Sequence, residues 1–437
     1  MTNAPLEPGL RRELGRWDLT AIGINQVIGG AIFAMPAVVA ARAGAWSIWL
    51  IVLVGAASLL IAASFAEVGS RFDSTGGPYV YTRQAFGRFL GFEVGWMQWF
   101  TRVASWASVI NVLVSSLGFY WPGVTAGADR LALLAAIIAV LAGINIIGIQ
   151  QSAWVVNGLT IGKLAPIALF IIVGLPAIDA AQLHPAGPLA FGDAAATTLL
   201  LIYTFGGYEV IPVPAGEAKD PRRAVPFALM ATIATVTLIF VLTQIVAFGT
   251  LPGLAASKTP LADASVLLMG AAGAALITLG AVVSTLGNNM GQALSGSRML
   301  FALAEEGDLP AFVRRVHPRF RTPVNAIVIT AAVSFVLAAT GTFVTMAAAS
   351  AVSRLFIYFF TCAATLRLRR SGPAPFRVPF GPVIPLAAIA IVIAILAAAT
   401  NDQKVAGLIT LAVGAAFFAA AERGQSHFRR RSRGADV

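Results

Sequence analysis

Four charged side chains lie inside long apolar stretches of the sequence: Arg102, Lys163, Glu209 and Arg354. A charge in such a stretch is costly, so each of the four is a candidate for substrate binding or proton transfer. A desolvated lysine can take up and release a proton at working pH, and Lys163 therefore predicts a site of reversible protonation. The alternative is a permanently charged Lys163 that holds neighbouring helices together through their carbonyl groups.

Arg102 and Glu209 have opposite charges, and two interpretations of them stay open. One is a structural salt bridge in the apolar interior. The other is substrate selection, in which Arg102 disfavours a cationic side chain and pairs with an acidic or polar one, while Glu209 binds a cation or relays a proton. We expect Arg354 to line a vestibule on the cytoplasmic side.

No other cluster of reactive side chains is found in the sequence. His184, His317 and His427 are far apart, and Cys362 is the single cysteine. A disulfide within the chain and most thiolate metal sites are thereby excluded, and the sequence has no GxxxxGK[ST] loop for ATP. We therefore predict a protein that is not an enzyme and that holds no metal and no cofactor.

The elements that position these residues follow from composition. The chain has 437 residues, of which 58% are hydrophobic and 11% charged, and its mean hydropathy is +0.83. Water-soluble domains do not have this composition, and a membrane-spanning helix needs about 20 apolar residues. The third and eighth predicted spans are too long for one perpendicular crossing, so we expect them to be tilted or to continue outside the hydrocarbon. The predicted spans are 19–43, 46–70, 87–119, 131–149, 155–177, 195–217, 226–250, 263–303, 323–341, 344–368, 380–399 and 404–422.

Orientation follows from the distribution of the 30 Lys and Arg residues, most of which flank the same alternate ends of these spans. Arg42, Arg130, Lys258 and Lys404 fall on the other side. Cytoplasmic loops of membrane proteins are enriched in Lys and Arg, so the pattern predicts a multi-pass inner-membrane protein with both termini in the cytoplasm. The net charge of +11 then reflects topology, and nucleic-acid binding is not expected.

Two of the predicted spans contain a glycine pair followed by a proline. The first span has Gly29-Gly30 before Pro36, and the sixth has Gly206-Gly207 before Pro212. Glycine costs helix propensity and proline removes a backbone donor, so both spans should unwind near mid-membrane. Unwinding frees backbone N–H and C=O groups that can bind the carboxylate and the ammonium of a zwitterion. The alternative is that the glycines only permit close helix packing.

Three stretches resemble motifs of the amino acid-polyamine-organocation (APC) permeases. The run GGAIFAMP at 29–36 is similar to the G-x-G-I-F…P motif that opens that family. The runs FGGYE and EAKDPRR within 205–223 are similar to its sixth helix and cytoplasmic exit, and SRMLFALAEEGDLP, which opens 297–325, is similar to its S-R-x-x-x-A-x-A-x-D-G-x-L-P…T-P loop. The likeness covers nearly the whole chain. Arg102 departs from the family pattern, in which this wall of the site is uncharged.

The resemblance implies an all-α membrane protein with about 12 transmembrane helices and a five-plus-five inverted repeat, in which the first and sixth helices are broken. The expected segments are a cytoplasmic tail at 1–18, a transporter domain at 19–422 and a basic cytoplasmic tail at 423–437. Within the domain, repeat one spans about 19–177, repeat two about 195–368, and two peripheral helices about 380–422.

The resemblance also implies a substrate site between the two broken helices, with Tyr203 or Phe205 as an aromatic lid. Lys163 resembles a fifth-helix lysine that stands in the place of sodium in proton-coupled members, and Ser284 and Thr285 match the hydroxyl pair of that site. Core packing is the favoured role of the tryptophans in the third span, and Trp106 is the pocket candidate among them. The candidate substrate-binding residues are Ile28, Gly29, Gly30, Ala31, Arg102, Trp106, Tyr203, Thr204, Phe205, Gly207 and Glu209.

We therefore predict a secondary active amino acid transporter that works by alternating access, with a proton as the coupling ion in symport. Two alternatives stay open: an exchanger of amino acids, and a membrane sensor that keeps this fold without transport. The expected partners are a small amino acid substrate, a proton and the lipid bilayer, and we expect a monomer or a homodimer.

Overall fold

The computed structural model describes residues 10–433 except 118–120, 122, 124, 125, 186, 341 and 342. Residues 1–9 and 434–437, which belong to the two predicted tails, lie outside the described residues. Over the described part the chain is helical, and its one extended pairing is an isolated bridge between Leu14 and Ala218. The prediction of an all-α protein is confirmed.

The described residues form fourteen α-helices, with short 3-10 turns between some of them. They are α1 (Arg16–Val27), α2 (Ala31–Ala43), α3 (Trp46–Gly69), α4 (Pro78–Phe86), α5 (Arg88–Leu117), α6 (Gly127–Ile147), α7 (Ile149–Gly174), α8 (Phe191–Phe205), α9 (Pro221–Thr250), α10 (Pro260–Glu305), α11 (Val324–Thr340), α12 (Phe343–Leu368), α13 (Val383–Ala398) and α14 (Asn401–Arg433).

Seven helices in the described part of the chain are long and apolar enough to cross a membrane, or eight if the bent pair α1 and α2 counts as one span. The helices α11 and α13 are also apolar but shorter. A helix satisfies its backbone N–H and C=O groups by its own hydrogen bonds, so apolar helices can lie in lipid. These helices therefore fit a multi-pass membrane protein. The count of twelve spans and the inverted repeat stay predictions.

The third and eighth predicted spans differ in how they reach their length. The helix α5 is continuous over 30 residues. The helix α10 covers 46 residues but is interrupted at Gly270, where φ is 68° and ψ is −163°. A positive φ of this size favours glycine, which has no Cβ to clash with the backbone. The predicted eighth span is therefore two helical segments joined at Gly270.

The half-helix α1 is largely buried, and α2 is buried on one face. The half-helix α1 packs against α7, α9 and α10, while α2 packs against α8 and α10. The long helix α5 packs against α10 and α12. Charged residues on α5, α7 and α12 are thereby brought towards the two breaks, which is the arrangement that a midplane binding site needs.

Ion pairs hold the helices together at the end of the bundle that carries Leu14, called here the Leu14 end. The Asp308 carboxylate, fully buried, accepts hydrogen bonds from Arg88 Nε at 2.6 Å, Arg83 Nη1 at 2.8 Å and the Tyr79 hydroxyl at 2.7 Å. Burial and the Asp308 carboxylate raise the pKa of the Tyr79 phenol, which keeps it protonated as a donor. The opposite end, where α2 finishes, is called the Arg42 end.

Candidate functional site

The first break separates α1 from α2, which meet at an angle of 47°. Ile28 is buried in the break, whereas Gly30 and Ala31 are exposed. The first N–H groups of a helix have no partner within the helix, and the helix dipole favours an anion at this end. The N-terminus of α2 can therefore bind a carboxylate.

One face of α2 is exposed from the break to the Arg42 end. Ala31, Ala34 and Val38 are exposed and follow one another at helical spacing, and Arg42 continues the same face to the end of the molecule. Val38 and Arg42 line a cavity of about 550 Å³ at the Arg42 end. Residues 28–31 of the break itself are not among those that line this cavity.

The second break follows α8, at Gly206 and Gly207. Gly207 has φ of 132°, and a Cβ on it would lie 2.7 Å from the backbone carbonyl carbon and oxygen of Gln26 in α1. Only glycine permits this approach, so the two broken helices touch backbone to backbone. The C-terminal carbonyls of α8 include that of Tyr203, which accepts a hydrogen bond from the Gly206 N–H at 3.1 Å. This end of α8 favours a cation such as an ammonium group.

Lys163 on α7 is fully buried and reaches the first break. Its Nζ donates to the carbonyl oxygens of Ile28 at 2.7 Å, Asn25 at 3.1 Å and Ser284 at 3.3 Å. An ammonium group has three donor hydrogens, which match these three acceptors, whereas a neutral amine has two. Lys163 thus joins α1 to α10 through one ammonium group.

The two hydroxyl groups predicted beside Lys163 lie close to the break, where each donates a hydrogen bond to a backbone carbonyl oxygen. Ser284 Oγ donates to the Ile28 carbonyl at 3.3 Å, the same oxygen that Lys163 binds. Thr285 Oγ1 donates within its own helix to Ala281 and lies 3.9 Å from where a Cβ on Gly30 would be. The structure therefore brings both residues to the first break.

Side-chain amides that sequence reasoning did not single out hold the end of α1. Gln26 Nε2 donates to the Asn288 carbonyl at 3.1 Å, and Asn288 Nδ2 donates to the Gln26 carbonyl at 3.2 Å. Asn25 Nδ2 donates to Thr160 at 3.0 Å. Uncharged amides inside apolar stretches were the available signal, because a buried amide needs partners as a buried charge does.

Glu209 is the centre of a buried polar cluster just after the second break. Its Oε1 lies 2.8 Å from Arg102 Nη2 and 3.0 Å from Arg354 Nε. Its Oε2 accepts from the Gly207 N–H and from the Tyr358 hydroxyl, each at 2.8 Å. Arg102 and Glu209 thus form an ion pair, and Arg354 is a second arginine on the same carboxylate.

The cavity at the Arg42 end reaches down to this cluster. Arg354, Tyr203 and Tyr358 line its inner part, and Arg354 lies over the face of the Tyr203 ring at 5.6 Å. Arg354 therefore faces the end that the charge pattern predicts to be outside, and the expectation of a cytoplasmic vestibule for it is wrong. The remaining lining residues are Val38, Arg42, Ala196, Leu199, Leu200, Ile202, Val352, Leu355, Ile395, Ala398, Ala399, Thr400 and Gln403.

Several predicted side chains do not line this cavity. Phe205 is fully buried and packs edge-on against Phe240 at 5.1 Å, so a lid role for it is wrong, whereas Tyr203 is 40% exposed. Trp106 is fully buried, because it lies on the inward face of α5. The Arg102 side chain is 1% exposed and pairs with the Glu209 carboxylate. Thr204 is also buried and donates to the Leu200 carbonyl of its own helix.

The chain is similar to a family of known proteins over nearly its whole length. The family model described as amino acid permease matches residues 14–418. The serine/threonine exchanger SteT of Bacillus subtilis is 32% identical over 409 residues, which cover 87% of this chain and 90% of that protein. An uncharacterized transporter of Mycobacterium bovis is 29% identical over 428 residues (95% and 93%). The branched-chain amino acid permease BcaP of Bacillus subtilis is 27% identical over 408 residues (88% and 87%).

Proposed function

The chain belongs to the amino acid permease family, and on that basis we propose that it is a secondary active amino acid transporter that couples transport to protons. Permeases of this kind are multi-pass membrane proteins, in agreement with the apolar helices of the chain. The substrate is an amino acid bound at mid-membrane between the two broken helices, and alternating access moves it across.

The observation that carries the coupling proposal is the position of Lys163. Its ammonium group binds carbonyl oxygens on both sides of one interface, Ile28 at the end of α1 and Ser284 on α10. Loss of a proton leaves two donor hydrogens for three carbonyls, so one bond between the helices is lost. Protonation thereby biases the packing of α1 on α10, which is the link between proton and conformation that coupling requires.

The two breaks support a zwitterionic substrate. The α2 N-terminus at Gly30 and Ala31 would bind the substrate carboxylate with backbone N–H groups, and Gly29 and Ile28 form the turn that leads into it. The carbonyl groups at Tyr203, Thr204 and Phe205 would bind the amino group. Tyr203, as the exposed aromatic side chain next to this position, would pack over the bound substrate.

Alternating access is supported by the different contacts at the two ends. At the Leu14 end, Arg298 and Glu217 form a fully buried ion pair at 2.9 Å, and Asp308 holds Arg83 and Arg88. At the Arg42 end, the cavity is accessible down to Arg354. We assign the Leu14 end to the cytoplasm from the positive-inside pattern. This conformation is then open to the outside and closed to the cytoplasm.

Exchange of one amino acid for another is the second candidate. It is favoured by the similarity to SteT, which is named as a serine/threonine exchanger. Exchange needs the same site and the same two conformations, but it does not need a proton on Lys163 to drive net uptake.

The substrate class is tested with purified protein in liposomes that are preloaded with unlabelled amino acids. Counterflow of a radiolabelled amino acid from a panel of acidic, neutral and basic species is the expected result. Failure of every amino acid to exchange or bind contradicts the proposed function. A Gly30→Val variant, which places a branched side chain at the start of α2, should lose counterflow while keeping its elution profile in detergent.

A further inference from the structure

The cavity at the Arg42 end has an unbalanced charge. Two of the residues that line it, Arg42 and Arg354, are cationic, and none of its described lining residues is acidic. Most of the others are apolar. A guanidinium group in apolar surroundings is stabilised by a carboxylate or a phosphate that can accept its planar array of donors.

The cluster behind the cavity leaves this charge uncompensated. Glu209 is the single carboxylate shared by Arg102 and Arg354, at 2.8 Å and 3.0 Å. Two positive charges thus face one negative charge in a buried cluster. Two nitrogens of Arg102 have no hydrogen-bond partner among the described residues. Unpaired buried charge is costly, so a bound anion would relieve it.

Of the two arginines, Arg354 is the one that a ligand can reach. Its side chain is 11% exposed and lines the cavity, whereas that of Arg102 is 1% exposed and does not. Its Nη1 lies against Gly206, at the second break. The Arg354 guanidinium is therefore next to the C-terminal carbonyls of α8.

We propose that Arg354 binds an anionic group on the side chain of the substrate, so that the protein selects amino acids with acidic side chains. This proposal rests on the proposed function, because it uses the same breaks for the backbone of the substrate. With the amino group at the α8 carbonyls, a substrate side chain projects towards Arg354 and Tyr203. Arg42 at the mouth of the cavity attracts anions towards it.

The test compares isosteric ligands on the native protein. Binding of L-glutamate and L-glutamine, and of L-aspartate and L-asparagine, is measured by isothermal titration calorimetry in detergent. Each pair differs in one charged group, and a buried charge-assisted contact predicts a preference of about 30-fold for the acid. Tighter binding of glutamine than of glutamate overturns the proposal.

Two matched variants locate the effect. Arg354→Met and Arg102→Met each remove one guanidinium from Glu209 and leave a neutral pair, but only Arg354 lines the cavity. We expect Arg354→Met to lose the preference for glutamate over glutamine and to retain binding of glutamine. Arg102→Met should keep most of the preference. Equal loss in the two variants overturns the direct contact.

A third variant covers a failure of Arg354→Met to fold. Arg354→Lys keeps the charge but not the planar guanidinium, and we expect it to bind glutamate more tightly than glutamine with a smaller ratio than the native protein. A ratio of one in a folded Arg354→Lys protein contradicts the proposal. If no amino acid of any charge binds to the native protein, the proposed function fails as well, whereas binding of neutral amino acids alone removes only this inference.

Discussion

Lys163 Nζ lies 2.7 Å from the carbonyl oxygen of Ile28, the residue that follows the last residue of α1. The carbonyls at the C-terminal end of a helix have no partner within it and carry partial negative charge. The ammonium group of Lys163 supplies that partner in the apolar interior. The end of the first half-helix thus depends on the ammonium group of Lys163.

Ser284→Ala tests the contribution of the Ser284 hydroxyl group apart from that of the Lys163 ammonium group. The hydroxyl gives one 3.3 Å hydrogen bond to the Ile28 carbonyl, whereas Lys163 binds the backbone carbonyl of Ser284, which the variant keeps. We expect a loss of about 0.5–1.5 kcal/mol in unfolding free energy and unchanged proton dependence of transport. Thermal unfolding in detergent and uptake at two pH values measure both. Loss of proton dependence in this variant would assign coupling to the hydroxyl instead.

Glu209→Gln should be among the most destabilising substitutions in the interior. It leaves Arg102 and Arg354 buried with no carboxylate, and breaking a buried pair costs about 3–5 kcal/mol. Tyr358→Phe is the matched control, because it removes one neutral donor to the same carboxylate at 2.8 Å and should cost about 1.5–3 kcal/mol. Thermal melting of the purified variants ranks their stabilities. A Glu209→Gln protein as stable as the native one would mean that the cluster contributes no stability.

Gly207→Ala tests the backbone contact between the broken helices. An added methyl group would meet the Gln26 carbonyl at 2.7 Å, and φ of 132° is unfavourable for alanine. We expect loss of counterflow and a lower melting temperature. Gly192→Ala, at the second residue of α8, is the control, because a methyl group there meets no atom within 4 Å and should leave counterflow and the melting temperature near the native values. Similar behaviour of the two variants would contradict a close contact at Gly207.

Asp308→Asn should loosen the Leu14 end. The substitution removes the charge that three donors share, and hydrogen bonds to charged groups contribute about 1.5–3 kcal/mol each. A shift of about 1.5–3 kcal/mol opens this end about 10- to 150-fold more often. Labelling of Ala304→Cys, a position 1% exposed, by a maleimide in a Cys362→Ser background reports the opening.

The control for Asp308→Asn is Glu306→Gln. Glu306 is a partly exposed neighbour that meets Arg83 at 3.4 Å, and an exposed ion pair of this kind contributes little. Its labelling rate should stay near that of the parent. Unchanged labelling in Asp308→Asn would show that the Asp308 contacts do not close this end.

The two helix breaks and the burial of Lys163 could be predicted because they have strong local signals. Gly29-Gly30 and Gly206-Gly207 both lie at observed breaks. Glycine lowers helix propensity through its own backbone, so this effect does not depend on the neighbouring helices. Lys163 could be identified because a lysine in an apolar run needs acceptors. Its three carbonyl partners could not, since they depend on how α1 and α10 approach it.

The rotation of each helix about its axis was the main unknown. Tyr203 and Phe205 are two residues apart and chemically similar, yet packing against Phe240 buries one while the other faces the cavity. Arg102 on α5 and Arg354 on α12 likewise bind the same carboxylate, yet only Arg354 of the two lines the cavity. The break at Gly270 lies in a run of small apolar residues, where the local sequence resembles a continuous helix.

The most direct test of proton coupling compares the native protein with Lys163→Ala and Ser284→Ala in proteoliposomes. Uptake of a radiolabelled substrate is measured with and without an inward proton gradient, beside counterflow with no gradient. We predict that the gradient drives accumulation in the native protein and in Ser284→Ala but not in Lys163→Ala, while counterflow persists in all three. Accumulation that ignores the gradient in the native protein, or that survives in Lys163→Ala, would contradict proton coupling through Lys163 and favour exchange.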